Sequence, residues 1–207
     1  MSATGHLPNR PSRSRGRPRE FNMDDALDKA VRVFCARGYH ATSIADLTSA
    51  MELASGSVYK AFKDKRAVFL AAFDRYKTVR DTQLRAAINQ GRNGRERLRN
   101  TLNFFAASSY GAQGQLGCLV VGGAAELATF DDEIAQRVTG SLERSEALLS
   151  ELIQQGQSDG SIPTALDYQT TARLMLCVLQ GMRVIGKAGR SKQEMQAVAD
   201  AALKLLG

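Results

Sequence analysis

From residue 24 onward, apolar side chains recur three and four positions apart almost without interruption, and stretches that alternate apolar and polar residues are nearly absent. That spacing fits a helix of about 3.6 residues per turn rather than the two-residue repeat of a strand, so the chain is constrained to an all-α fold. Its 207 residues can bury a substantial core, as one domain or as a small head on a larger body. With 43% hydrophobic and 24% charged residues, the composition is that of an ordinary globular protein.

Start and stop signals divide the periodic stretch into about nine helices. Asn22 is placed to cap the first, Asp24 and Asp25 sit at its positive end, Leu27, Ala30, Val31 and Phe34 share one face, and Gly38 stops it. Ser43 and Asp46 form a capping pair for a short helix to Met51, a third covers roughly 55–62, and Asp64 caps a fourth that runs towards Gln90. After a break at 91–94, a helix over 95–109 carries Leu98, Leu102 and Phe105 on one side, and a glycine-rich connector follows. Residues 117–130 read as a short buried helix, and Asp131 caps a long amphipathic one to about Gln157. The segment 167–189 is apolar on most sides, and Ser191 with Glu194 opens the last helix, to Leu206. The predicted organisation is a basic arm (1–20), a head (21–66) and a helical body (67–207), with the fourth helix as a mechanical link between head and body.

The net charge of +7 is concentrated in the arm, where Arg10, Arg13, Arg15, Arg17 and Arg19 stand against the single acid Glu20. A basic arm containing Pro, Gly and Ser does not fold alone and suits a polyanion, because each neutralised phosphate releases counterions. No apolar run near the start resembles a signal-peptide core, and no stretch approaches the uncharged length that spans a bilayer, so a cytoplasmic protein with no membrane partner is expected. Cys35, Cys118 and Cys177 are odd in number and embedded in apolar segments, which reads as reduced, buried thiols rather than a disulfide framework.

Catalytic chemistry finds little footing. His6 and His40 are the only histidines, too few and too badly placed for a His-based metal site or a Ser-His-Asp triad, so no cofactor, metal or catalytic set is expected. Gly181 to Lys187 imitates a phosphate loop, but Ala188 replaces the Ser/Thr that would hold magnesium, and no strand precedes it.

The informative stretch is Thr42 to Lys65, TSIADLTSAMELASGSVYKAFKDK, in which a capped helix, a tight connection and a second short helix make a helix-turn-helix. Ser55, Gly56 and Ser57 are small enough to let backbone approach DNA and to offer N–H donors to phosphate. Ser57, Val58 and Lys60 are expected to face outward, and Tyr59 to give its hydroxyl to a phosphate while its ring rests on Phe62. Lys65 lies at the start of the next helix. The plain alternative is that Tyr59 and Phe62 are core aromatics and that Lys60, Lys63, Lys65 and Arg66 form a solvated face.

Phe34, Gly38, Tyr39, Thr42, Ser43, Ile44, Asp46, Leu47, Ser57, Val58, Tyr59, Phe62, Lys65, Val68 and Phe69 together resemble the head of the TetR family of bacterial regulators, over residues 20–70. Gly117-Cys118-Leu119-Val120 followed by Glu126 is similar to a C-terminal segment in one part of that family. The resemblance implies that Thr42 or Ser43, Tyr59 and Lys65 hold phosphates, that Ser57, Val58 and Lys60 face bases in the major groove, and that Arg17 enters the minor groove. It implies a double-stranded operator, pairing with a second copy, and a small-molecule effector in the body. Two positions depart from the pattern. Glu52 stands where the turn usually has glycine, which puts the turn geometry in question, and Ala54 stands where a polar cap is common, so that Ser55 or Ser57 is expected to cap instead.

In the body, Phe104, Phe105, Tyr110, Cys118, Leu174, Cys177, Val178 and Met182 are candidate pocket lining, and Glu126, an acid in an apolar run, is a candidate ligand-recognising group. Apolar stripes at helical spacing also make ordinary core. Leu174, Val178, Gly181, Ile185, Met195, Val198, Ala202 and Leu206 are more apolar surface than one body helix covers, so they are the expected two-fold dimer interface. The expected function is a repressor released from a palindromic operator by an effector. The rivals are an enzyme acting on an apolar substrate with a basic docking head, for which no catalytic constellation is found, and a nonspecific nucleic-acid binder.

Overall fold

Asn22 caps the first helix as the sequence predicts: its side-chain oxygen accepts the amides of Asp24 and Asp25 at the start of α1 (Met23–Arg37), which ends at Gly38 with a positive φ of 81°. The computed structural model describes residues 22–207, so the basic arm and the expected minor-groove residue Arg17 lie outside the described residues. The Ser43–Asp46 capping box opens α2 (Ile44–Met51), followed by α3 (Ser55–Ala61) and α4 (Lys65–Ile88), the latter capped by Asp64. Asn93 caps α5 (Gly94–Ala107). The glycine-rich connector holds a short helix of its own, α6 (Gly111–Leu116), and α7 (Leu119–Glu126) fills the middle of the stretch expected to be helical over 117–130. Asp131 caps α8 (Asp132–Ser158), Asp167 caps α9 (Tyr168–Gly186), and the Ser191–Glu194 capping box opens α10 (Lys192–Lys204). Among the described residues there are ten helices, and none is long and apolar enough to cross a membrane.

Burial creates two apolar cores. The first joins α1 (Ala30, Phe34), α2 (Leu47, Met51) and α3 (Val58) to Phe69 and Phe73 of α4. It does not close at the head: Leu119 and Val120 of α7 and Ile134 and Val138 of α8 complete it, so the three head helices share their core with the body. The second core unites α5, the C-terminal half of α8, α9 and α10 around Leu98, Leu102, Ile153, Met175 and Leu179. α4 belongs to both, contributing Leu84 and Ile88 to the second, which suits the expected mechanical link.

α10 lies on α5, and this corrects part of the expected interface: Met195, Ala202 and Leu206 are buried inside the protomer. Their apolar face is consumed by intramolecular packing. The outward face of α9 keeps Leu174, Val184 and Ile185 exposed and Val178 and Gly181 half-exposed, with Val198 half-exposed and Leu205 exposed on the α10 side.

The turn between α2 and α3 carries the anomaly the sequence announces. Glu52 is the C-cap of α2 with φ 57° and ψ 37°, and among the described residues it is the one non-glycine at positive φ. A left-handed conformation costs a residue with a Cβ about 1–2 kcal/mol, partly offset by the larger unfolded-state freedom of glycine. The exposed Lys29–Glu52 ion pair at 3.2 Å adds little. Glu52→Gly is therefore expected to raise stability by about 0.5–1 kcal/mol, read as a later midpoint in a urea melt. An unchanged or earlier midpoint would show that the side chain is worth more than the strain.

Candidate nucleic-acid interface

α3 has seven residues, and its register divides them cleanly. Val58 is 1% exposed and anchors the helix in the first core, which corrects the expectation that it faces bases. Tyr59 is 56% exposed, and Ser55, Gly56 and Lys60 are exposed beside it, with Ser57 half-exposed. A Cβ built on Gly56 meets nothing within 4 Å, so its glycine is not demanded by the chain's own packing. Phe62 turns into the core while Tyr59 stands out, so the ring of Tyr59 does not lie on Phe62. Ala54 is the N-cap of α3 and supplies no side-chain hydrogen bond; neither Ser55 nor Ser57 takes its place, because both lie within the helix.

The expected phosphate-gripping set is partly redirected. Thr42 is buried with its hydroxyl donated to Gly38 O at 2.6 Å, which corrects its assignment to DNA. Ser43 is exposed, but its hydroxyl donates to Asp46 Oδ2 (2.7 Å) and accepts the Asp46 amide (3.0 Å). The Ser43 hydroxyl and amide, then Arg37, hold the Asp46 carboxyl at about 2. Lys65 also departs from expectation: its Nζ donates to Tyr39 O (3.0 Å) and Thr42 O (2.9 Å) and sits 4.2 Å from the centre of the Tyr39 ring. The lysine thus ties the turn between α1 and α2 to the start of α4. Arg66 is held by Asp131 and Glu133, leaving Lys60 and Lys63 as the exposed cations of this segment.

Beneath the head, Glu126 has a structural duty that the sequence did not disclose. Its Oε2 accepts the backbone amides of Tyr39 (2.9 Å) and His40 (3.3 Å), so the last residue of α7 is bonded to the turn that leads into the helix-turn-helix. Oε2 is occupied in this way, while Glu126 also lines a second cavity, of about 200 Å³, with Cys118 and Arg183. Asp131 and Glu133 on Arg66, with Arg137 joining Glu133 to Asp74, make a second tie between α4 and α8. Arg66 is the main cause that holds Asp131 at about 2.

Residues 26–72 match the family model described as bacterial regulatory proteins, tetR family, and residues 94–202 match the model described as tetracyclin repressor-like, C-terminal domain. The chain belongs to the TetR family of bacterial regulatory proteins. It is 29% identical over 197 residues to the HTH-type transcriptional repressor ComR of Escherichia coli, covering 93% of this chain and 92% of that one. It is 28% identical over 174 residues to the HTH-type transcriptional repressor DhaR of a Mycobacterium species, covering 82% and 84%. Among solved structures, a cysteine mutant of the TetR-family regulator CifR, complexed with 26-bp double-strand operator DNA, superposes with a TM-score of 0.80 at 29% identity, covering 92% of this chain and all of that one. These relatives are transcription regulators, and the TetR-family chain described here is a regulator rather than an enzyme.

The body of this TetR-family chain contains a cavity under the head, but only part of the expected lining reaches it. Phe104, Phe105 and Cys118 line a narrow cleft of about 40 Å³ that opens to solvent. Leu174 and Cys177 are exposed on the outer face of α9, Met182 is packed in the second core, Val178 packs against that core, and Tyr110 is the N-cap of α6. Exposure of Cys177 also corrects the expectation of three buried thiols. Cys35 is buried, and burial pushes its thiol up to about 12.

The residues that sequence reasoning missed are polar: Tyr76, Arg80, Gln180 and Arg183 join Cys118 around the cleft. Arg183 is 3% exposed; its Nη2 donates to Gly117 O at 2.5 Å, while Nε and Nη1 have no partner. Each unsatisfied buried donor costs about 1–3 kcal/mol. Arg80 donates to Ser108 Oγ (2.9 Å) and lies 4.2 Å from the Phe104 ring centre; burial first, then the like charge of Arg183, lowers its pKa. Burial alone would raise the Cys118 thiol, but Arg183, the Tyr76 hydroxyl at 3.4 Å and the Val121 and Val120 amides overcome it and lower its pKa. One signal was available in advance: between Leu174 and Gly186, Arg183 is the single charged residue.

Proposed function

We propose that this regulator is a repressor acting as a symmetric dimer on a palindromic operator and released by a small-molecule effector. The observation that carries the DNA reading is the surface of α3, where Tyr59 and Lys60 project beside an unobstructed Gly56 while Val58 secures the helix from below. CifR, of similar fold and covering nearly the same residues, is described in complex with operator DNA, which supports the same use of this surface. Two copies would present two such helices to successive major grooves roughly 34–36 Å apart. The outward face of α9, with Leu174, Cys177, Val178, Gly181, Val184 and Ile185, and Val198 and Leu205 of α10, supplies the apolar area for pairing. A cytoplasmic location goes with that target.

Effector release follows from contacts between body and head. α7 begins at the cleft, where Cys118 is its N-cap, and ends on Glu126, which holds the Tyr39–His40 turn. α4 runs from Lys65 in the head to the second core. An effector that binds better to a state with α7 and α4 displaced would draw the two heads out of groove register; one with equal affinity for both states would change nothing.

Selection of bound sequences from a random duplex pool at near-physiological salt tests the proposal, with a two-fold symmetric motif as the expected result. On that motif, Tyr59→Phe is expected to weaken binding by about 0.5–1.5 kcal/mol without loss of fold, through one lost phosphate contact. Lys60→Ala is expected to cost about 1–3 kcal/mol and to relax preference at one position if it reads a base, or to weaken all sequences alike if it holds a phosphate. Unchanged affinity in both variants would remove α3 from the interface, and enrichment of no motif would favour nonspecific binding.

A further inference from the structure

A buried arginine normally meets a carboxylate, because an unpaired charge in the interior is costly. Arg183 does not. Its one partner is the carbonyl of Gly117, and among the described residues neither it nor Arg80 forms an ion pair. Both guanidinium groups line the same cleft, together with the rings of Phe104 and Phe105. The acid in that lining, Asp81, is already bonded to Lys77 at 2.9 Å. The cleft therefore has two guanidinium groups that meet no carboxylate, one of them with two nitrogens that have no partner, and an apolar side.

We propose that this cleft is the effector site and that its ligand is a small organic carboxylate, the carboxylate accepting from one of the two unpartnered nitrogens of Arg183 and the apolar remainder lying against Phe104 and Phe105. The inference rests on the reading of the chain as an effector-released repressor, and it adds the chemical class of the effector. Charge-assisted hydrogen bonds to a desolvated guanidinium favour the anion over any neutral molecule of the same shape. A site built around such donors discriminates sharply, since a neutral analogue leaves the donors unanswered. The position also gives the ligand leverage: Arg183 holds the carbonyl of Gly117, next in sequence to the N-cap of α7, so an anion that draws the guanidinium away frees the end of the helix whose other end carries Glu126.

The test uses the full chain without DNA. Straight-chain carboxylates of graded length and phenylacetate are titrated against thermal unfolding, each beside its own primary amide, with inorganic phosphate as a separate arm. At least one carboxylate is expected to raise the melting temperature in a saturable manner, with its amide and phosphate inactive. Arg183→Gln is expected to raise the Kd of that carboxylate at least about tenfold, the loss of one charge-assisted contact. Removing a buried unpaired charge should leave this variant folded, and Arg183→Lys serves as a second variant that keeps the charge. Arg173→Gln, on the outer surface of the same helix and paired to Glu146, should bind as the parent does.

Equal response to acid and amide, retention of affinity in Arg183→Gln, a response to phosphate alone, or no response to any carboxylate would each overturn the proposal. The DNA selection described above is read independently. A symmetric motif without a carboxylate response would sink this inference alone, and a carboxylate response without a motif would sink the repressor reading.

Discussion

Gly94→Ala is expected to destabilise the protein by about 3 kcal/mol, as overpacking against an unyielding neighbour does. Gly94 is the first residue of α5 and lies where that helix crosses the end of α8. A Cβ added there would overlap the amide nitrogen and Cα of Gly156 and stand 2.6 Å from Leu152 O, all of them backbone atoms. A flexible side chain moves aside; a helix backbone does not. The amide of Gly94 is also bonded to Asp159 at 2.8 Å, so the crossing cannot open without losing a hydrogen bond. Urea unfolding followed by circular dichroism reads the effect as an earlier midpoint. Gly122→Ala is the control: it lies inside α7 with nothing within 4 Å of an added Cβ, and replacing a helical glycine there should stabilise by up to about 1 kcal/mol. Equal midpoints for Gly94→Ala and the parent would mean that the α5–α8 crossing is looser than its geometry indicates.

Phe69→Ala is expected to cost about 3–5 kcal/mol and to abolish operator binding at temperatures where the body still holds its helices. Phe69 is 2% exposed on α4 and occupies the seam between head and body. Its ring meets Phe34 of α1 edge-on at 5.2 Å and Tyr39 at 5.4 Å, and Gly123 of α7 admits it closely. Its removal opens a cavity under the helix-turn-helix and unseats the Tyr39 turn that Glu126 and Lys65 hold. Because the second core lies elsewhere, the body should outlast the head, giving two transitions in the melt instead of one. Phe130, 84% exposed, is the comparison: Phe130→Ala should change stability by no more than about 0.5 kcal/mol. If Phe69→Ala were to bind operator as the parent does, the head would not depend on the shared core.

The second effect follows from how the head is built. Of the three head helices, α2 and α3 have eight and seven residues, and helices so short are not stable alone in water. They hold their shape because α4, α7 and α8 finish their core, and the same contacts give the body a means to move them. Glu126, Lys65 and Arg66 are spent on that junction, which is why two of the cations nearest the recognition helix are not free for DNA.

Sequence alone settled what is local. Caps at Asn22, Ser43, Asp64, Asp131 and Ser191, the stop at Gly38, and the helix-turn-helix spacing all depend on residues within a few positions of one another, so they were legible from order and type. The strained Glu52 was legible for the same reason. Which side of each helix faces what was decided only in three dimensions. Val58 and Thr42 fit the pattern of exposed DNA contacts but turn inward; Met195, Ala202 and Leu206 fit an interface but are taken by α5; and Glu126 finds its partners 86 and 87 residues away. Arg183 stands out in the sequence as a lone charge in an apolar run, yet only the fold shows that it is buried beside a cleft with two donors unanswered. Hydrogen bonds between turns and distant helices, and the packing that removes one apolar face and leaves another bare, are long-range contacts, and helical periodicity carries no record of them.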